Sequence, residues 1–295
     1  MVLVLAASVT IVAADEPITL DNVKDPGPIK PDEAIAQSFS LERALNYLDT
    51  ASVHWQKQHQ CFTCHTNYSY LIAAPALGSD RPAKTTVRQY AESLVSERWE
   101  EKGPRWPAEV VMTAAVLATG DAASGKLHPL TRKALDRMWT VQRADGGWDW
   151  LKCNWPPMES DDHYGVTMAL LAVGLAPEKY AENEAAKAGV EKIRQYLAAN
   201  TPPTLHHRAM IFWASQYIDG LMSKEDRKAV VDELLVLQRE DGGWGLATLG
   251  NWKRSDGSDQ DTKSSDGYGT GFVICMARLG GVPAADPRIG RGIAW

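Results

Sequence analysis

Two thiols and an imidazole fall within five residues at Cys61-Phe62-Thr63-Cys64-His65. This spacing is the attachment pattern for c-type haem, with thioethers from Cys61 and Cys64 and with His65 as axial ligand to the iron. Zinc with His59, His54 or Cys153 as a further ligand, a disulfide and a redox pair are the other chemistries open to it. Met112 is a candidate sixth ligand, although a Met there equally suits a core. A second cluster, Glu159-Ser160-Asp161-Asp162-His163-Tyr164-Gly165, gathers three carboxyls ahead of an apolar run. Close like charges and burial can keep one such carboxyl protonated, which makes it an acid. Asp162-His163-Tyr164-Gly165 recurs as Asp266-Gly267-Tyr268-Gly269, so Asp162 and Asp266 are expected to be helix N-caps. Asp161 is matched by Ser265 and has no capping counterpart. It is the residue that repeat architecture does not explain, open to a catalytic role or to a capping or structural cluster with Asp162 and Glu159.

Other polar side chains read as structural. His163, His206 and His207 could orient a carboxyl, but adjacent His at a helix start are expected to be solvated. Cys153 and Met158 lie in or beside the loop Leu151–Pro157, and Cys275 reads as a small buried hydrophobe. The stretch Gly250–Ser265 carries Asp256, Asp259 and Asp261 but lacks the closing Glu of a calcium loop, so it reads as a solvated insertion.

The elements that must hold these residues are helical. Val230, Leu234 and Leu237, with Val231 and Leu235, form an apolar stripe backed by Lys224, Arg227, Lys228 and Asp232. Segments 41–58, 85–99, 131–142, 186–199 and 286–295 have the same amphipathic character. Segments 110–118, 166–175, 209–214 and 272–277 are apolar nearly all round and must be enclosed by other helices. Alternation of the two kinds predicts an all-α fold in which inner helices are ringed by outer ones, an α/α toroid of about six hairpins with the last one incomplete. An open α-solenoid is the alternative.

Gln142-Arg143-Ala144-Asp145-Gly146-Gly147-Trp148 recurs as Gln238-Arg239-Glu240-Asp241-Gly242-Gly243-Trp244. Gly146 and Gly147 are expected to turn with positive φ, Gln142 to bond freed backbone groups, and Trp148 to cover the junction. These repeats resemble the glutamine–tryptophan repeats of squalene-hopene cyclases and related triterpene cyclases, and are similar to repeats in protein prenyltransferase β-subunits. The resemblance spans roughly residues 41–295 and implies the toroid. It also implies that Asp161 stands where class II cyclases carry the Asp that protonates an alkene, with Asp162 its neighbour and Glu159 replacing the first Asp of the motif. The substrate it implies is an apolar polyisoprenoid. The prenyltransferase zinc site is not matched, because Tyr268 stands where its Cys belongs, and a triterpene cyclase has about twice this length.

The remaining features bound the setting. The chain has 295 residues and a net charge of −6, without the clustered Lys and Arg that nucleic-acid binding needs. Residues 1–14 read as an export signal shortened at its N-terminus, with Val12-Ala13-Ala14 as the cleavage site, and residues 15–40 as an extended leader. A periplasmic or other extracytoplasmic location follows, and it agrees with covalent haem attachment. Two functions stand at this point. One is an exported terpene-cyclase-like repeat protein that binds or cyclises a polyisoprenoid, with a membrane surface as a compatible partner. The other is a non-enzymatic haem protein on the same scaffold, which would need a redox partner.

Overall fold

The computed structural model describes residues 16–28, 38–60, 65–78, 81–153, 155–254 and 256–295. The segment 1–14 and the thiols of Cys61 and Cys64 lie outside the described residues. Among those described, the regular structure is helical, with two isolated β-bridges, Trp155–Glu159 and Lys253–Asp259. No helix among them is long and apolar enough to cross a membrane.

Outer helices are α1 (Leu41–His59), α3 (Pro82–Ser93), α6 (Pro129–Thr140), α8 (Glu184–Ala199), α10 (Lys224–Val236) and α12 (Pro287–Ala294). After α3 the chain continues through a π turn, Leu94–Arg98, into the short helix α4 (Trp99–Glu101). Between the outer helices run α2 (Asn67–Ala73), α5 (Pro107–Ser124), α7 (Asp162–Leu175), α9 (Leu205–Ala214) and α11 (Gly267–Leu279). Successive inner helices pack side by side in the order α2, α5, α7, α9, α11. The outer layer packs on them, with α1 on α2, α6 on α5 and α7, α8 on α7, and α10 on α9 and α11. The sequence pattern explains this division. Every residue of α5 from Ala108 to Ala118 and of α7 from Tyr164 to Val173 is buried, as helices without a polar face require. The outer helix α8 instead buries Ala186, Val190 and Ile193 and turns Glu184, Lys187 and Glu191 outward.

Hairpin connections are set by local chemistry. Helix α5 ends at Gly125, whose φ of 68° is left-handed. Asp121 then accepts the His128 N–H at 2.7 Å, and Pro129 opens α6. At the far end of α6, Gly146 adopts φ 92°, and a Cβ there would lie 2.1 Å from the Lys192 carbonyl oxygen. Gly147 differs from expectation, since its φ is not positive. It is glycine for want of space, as a Cβ would meet the Arg143 guanidinium at 2.6 Å and Tyr196 at 2.9 Å. Gln142 donates to the carbonyls of Gly146 and Gly189, as expected, and Trp148 is fully buried with its indole N–H on the Met138 carbonyl.

Ile18 and Val23 pack on the core. The buried apolar residues form two clusters, a larger one from Val53 to Ile218 and a smaller one from Ala209 to Ile289. Trp213 and Phe272 pack against both. Cys275 is exposed on α11, contrary to the expected burial. It shares a face with Gly267 and Gly271, beside which a Cβ would meet nothing within 4 Å.

Candidate functional site

The three carboxyls that are neighbours in sequence part company in space. Asp161 is the N-cap of α7, and its carboxylate accepts the N–H groups of His163 (3.0 Å) and Tyr164 (3.4 Å). Asp162, expected to cap, is instead the first helical residue. It pairs with Arg143 at 2.7 Å and Lys152 at 3.5 Å. The cap is therefore one residue earlier than expected, at Asp161, and an ion pair accompanies the shift. Arg143 leaves the Gly-Gly-Trp turn beside α7 and donates to Asp162, and the helix starts one residue off the register of α11, where Asp266 is the cap. Glu159 is buried in the preceding loop, where its backbone carbonyl accepts the Cys153 N–H at 3.1 Å.

Asp161 has a partner among the histidines that could orient a carboxyl. His207 Nε2, in the first turn of α9, lies 3.0 Å from Asp161 Oδ2, and His207 Nδ1 lies 2.7 Å from Thr204 Oγ1. Hydroxyl, imidazole and carboxylate thus form a chain across two adjacent inner-helix starts. Burial pushes the Asp161 carboxyl up. The hydrogen bond and charge of His207, the charge of His163 and the Tyr164 amide outweigh burial, and the net shift is below the ordinary carboxylate value. In this resting arrangement Asp161 is a carboxylate, not the neutral acid that alkene protonation needs.

His206 and His207 are both fully buried, which corrects the expectation of solvated side chains. His206 Nε2 lies 2.8 Å from the Tyr268 hydroxyl, and its ring stacks on Phe272 at 4.6 Å. Trp252 closes over both histidines at 5.5 and 5.9 Å between ring centres. Desolvation, with the neighbouring His207, lowers the His206 pKa to about 3, so the ring is neutral at physiological pH. Thr204 and Trp252 also line a cavity of about 730 Å³ between the start of α9 and the 247–262 loop. The signal available in the sequence was Thr204. As an N-cap ahead of an apolar run, it puts 206 and 207 in a first turn that must face the neighbouring inner helix.

The second candidate lies at the start of α2. His65 is exposed, with Nδ1 3.1 Å from Thr66 Oγ1, so that Nε2 is the nitrogen available to a ligand. Two indoles flank the ring: Trp55 edge-on at 5.1 Å and Trp155 stacked at 5.9 Å. Desolvation lowers the His65 pKa, partly opposed by the charge of Glu159. The loop between α6 and α7 thus reaches the segment that follows Cys64, and Glu159 belongs to this neighbourhood rather than to that of Asp161. Met112 is a buried core residue of α5, facing away from any role at the surface. Among the described residues no group of three or more His, Cys, Asp or Glu side chains is arranged to hold a metal ion.

Compared with models of known protein families the chain matches none, and no curated protein sequence matches it.

Proposed function

We propose that this is an exported α/α toroid protein that carries a c-type haem on Cys61, Cys64 and His65 and works in electron transfer or redox sensing. The observation that carries the reading is the setting of His65. Its Nδ1 is engaged by Thr66, its Nε2 is available, and two indoles flank it. A neutral imidazole with one nitrogen oriented by a hydrogen bond is the ligand form iron requires. A haem bound there supplies a one-electron redox centre. Trp55 and Trp155 lie against the ring, and Thr66 holds its orientation. The helical scaffold is rigid around the site, because α2 packs on both α1 and α5. The apolar stretch 1–14 supports export, which covalent haem attachment needs, and the repeated Gln-Arg-x-Asp-Gly-Gly-Trp turn together with the side-by-side inner helices supports the toroid.

Full-length protein co-expressed with cytochrome-maturation machinery is expected to gain the mass of one haem. A reduced α-band should appear, and both should vanish in Cys61→Ala/Cys64→Ala. Intact thiols with no added mass would overturn the reading.

A second reading, binding or acid cyclisation of a polyisoprenoid, is favoured by the contact between Asp161 and His207, since a carboxyl and an imidazole 3.0 Å apart can hold and pass one proton. For alkene protonation the proton must reside on Asp161, against the direction of its shift.

A further inference from the structure

Two cavities away from the sites described above are built on one plan. The first, of about 620 Å³, is lined by Lys84, Arg88 and Glu92 of α3, by Leu71 and Pro75 in and just after α2, and by the end of α5. The second, of about 470 Å³, is lined by Lys224, Lys228 and Asp232 of α10, by Phe212 and Gln216 in and just after α9, and by the end of α11. In each, an outer helix places base, base and acid at i, i+4 and i+8, on one face. The last two pair with each other, Arg88 with Glu92 and Lys228 with Asp232. In each, the following inner helix ends at a left-handed glycine, Gly125 (φ 68°) or Gly281 (φ 84°).

The two differ in how their charge is balanced. In the first, Asp121 of α5 also takes Arg88, at 2.7 Å, so one guanidinium is shared by two carboxylates. Counted back from the left-handed glycine, Asp121 corresponds to Ala277 on α11. The second cavity therefore lacks that carboxylate, and α10 adds a further cation to its wall, Arg227. Among the described residues the Arg227 side chain has no partner, and its Nε is buried without one. A buried donor left in this state calls for an acceptor. The nearby Asp226 is turned to the Ser223 hydroxyl at 2.7 Å and lines a different cavity. With Lys228 and Asp232 offsetting each other, Lys224 and Arg227 are cations that no carboxylate of the cavity wall offsets. Beside them stand Phe212, Val231, Leu279 and Val282, an apolar surface in a space large enough for a small molecule.

We propose that the cavity between α10 and the end of α11 binds a small phosphate monoester, with its phosphate on Arg227 and Lys224 and a compact apolar group against Phe212 and Leu279. A phosphate monoester carries about −1.5 to −2 at neutral pH and matches two cations, whereas a carboxylate would offset one. The planar fork of a guanidinium fits phosphate oxygens two at a time. The inference is independent of the haem reading, since it uses none of residues 61–65.

Calorimetric titration of the full-length protein with phenyl phosphate is expected to give saturable one-to-one binding. Inorganic phosphate should bind more weakly, and phenol not measurably. Arg227→Gln is expected to weaken phenyl phosphate about tenfold or more, and Lys224→Gln, at an exposed position, severalfold. Lys84→Gln, the matching change in the first cavity, should leave the affinity as it was. Vesicles of phosphatidylcholine with and without phosphatidic acid separate two sources of the phosphate. Capture that needs both phosphatidic acid and Arg227 assigns a lipid headgroup; phenyl phosphate binding without capture assigns a soluble ligand. Absence of saturable binding, wild-type affinity in both Arg227→Gln and Lys224→Gln, or an equal loss in Lys84→Gln would overturn the proposal. If Arg227→Gln does not fold, the two lysine variants decide: a loss in Lys224→Gln alone supports the site, and no difference between them refutes it.

Discussion

The turn before α7 and the turn before α11 are built from nearly the same residues and differ in what they hold. In both, the Gln side chain donates to a Gly carbonyl (3.0 Å from Gln142, 2.9 Å from Gln238). In both, an Asp side chain accepts from the second Gly N–H (2.9 and 3.0 Å) and a fully buried Trp donates to the preceding outer helix. The differences begin at the arginine. Arg143 reaches Asp162, whereas Arg239 donates to the Thr262 carbonyl at 2.7 Å. Before α11 a single carboxylate, Asp266, both caps the helix and accepts from the Leu246 N–H. Before α7 two carboxylates divide the work, and the capping one acquires His207. The shared residues build the hairpin, and the added carboxylate creates a charged contact between neighbouring inner helices. Repetition in the sequence therefore identifies scaffold, and departure from it identifies the place where something else was added.

Five substitutions bear on that comparison. The largest effect is expected at the first glycine of each turn. Both Gly146 and Gly242 have φ near 92°, but an added Cβ lies 2.1 Å from a carbonyl oxygen at Gly146 and 2.9 Å at the equivalent contact of Gly242. Gly146→Ala should cost about 3 kcal/mol or more and Gly242→Ala about 2, as backbone strain plus overpacking, read by denaturant unfolding. Equal costs would mean that the two turns are packed alike.

Next in size is the pair of carboxylates. Asp161→Ala is expected to cost about 2 kcal/mol, from a lost cap and a buried imidazole left without its partner. Asp162→Ala should cost under about 1, as a partly exposed ion pair does. Because Asp161 titrates below its unfolded value of about 4, its contribution is present above that pH and is lost as pH falls through the folded value. The gap between wild type and Asp161→Ala should therefore close in strong acid. A gap that does not narrow at all as pH falls below the unfolded value would rule out the carboxylate as its source.

The smallest effect at neutral pH belongs to His206→Phe, within about 1.5 kcal/mol. Its signature is the pH dependence. The native state keeps His206 neutral down to about 3, while the unfolded chain binds a proton near 6.5, so wild-type stability falls progressively as pH drops through that window. The Phe variant should lack this slope in melting temperature.

Helix type and order were legible in the sequence because burial on all sides or on one side leaves a plain periodic trace. The outer and inner helices appear within a few residues of the expected segments, and Gln142 and Trp148 do what their types suggest. Less legible was anything that depends on register or on contacts between hairpins. Aligning Asp162 with Asp266 pointed to the wrong cap, since Asp161 takes the cap of α7 while Asp162 pairs with Arg143 from the preceding turn. His206 and His207 looked solvated because adjacent polar residues leave no apolar trace, yet Trp252, distant in sequence, covers them. The approach of Trp155 and Glu159 to His65, ninety residues upstream, had no local signature at all.

The division of the buried apolar residues into two clusters, joined at Trp213 and Phe272, bears on how the chain fluctuates. Cooperative opening follows the boundaries of packed units rather than those of single helices. The stretch α10–α12 can detach together, releasing a small cluster while the larger one survives. Amide exchange should therefore be graded along the chain, slowest in α5 and α7, and the lowest-energy opening would uncover Tyr268 and the His206 ring while leaving His65 and its two indoles undisturbed.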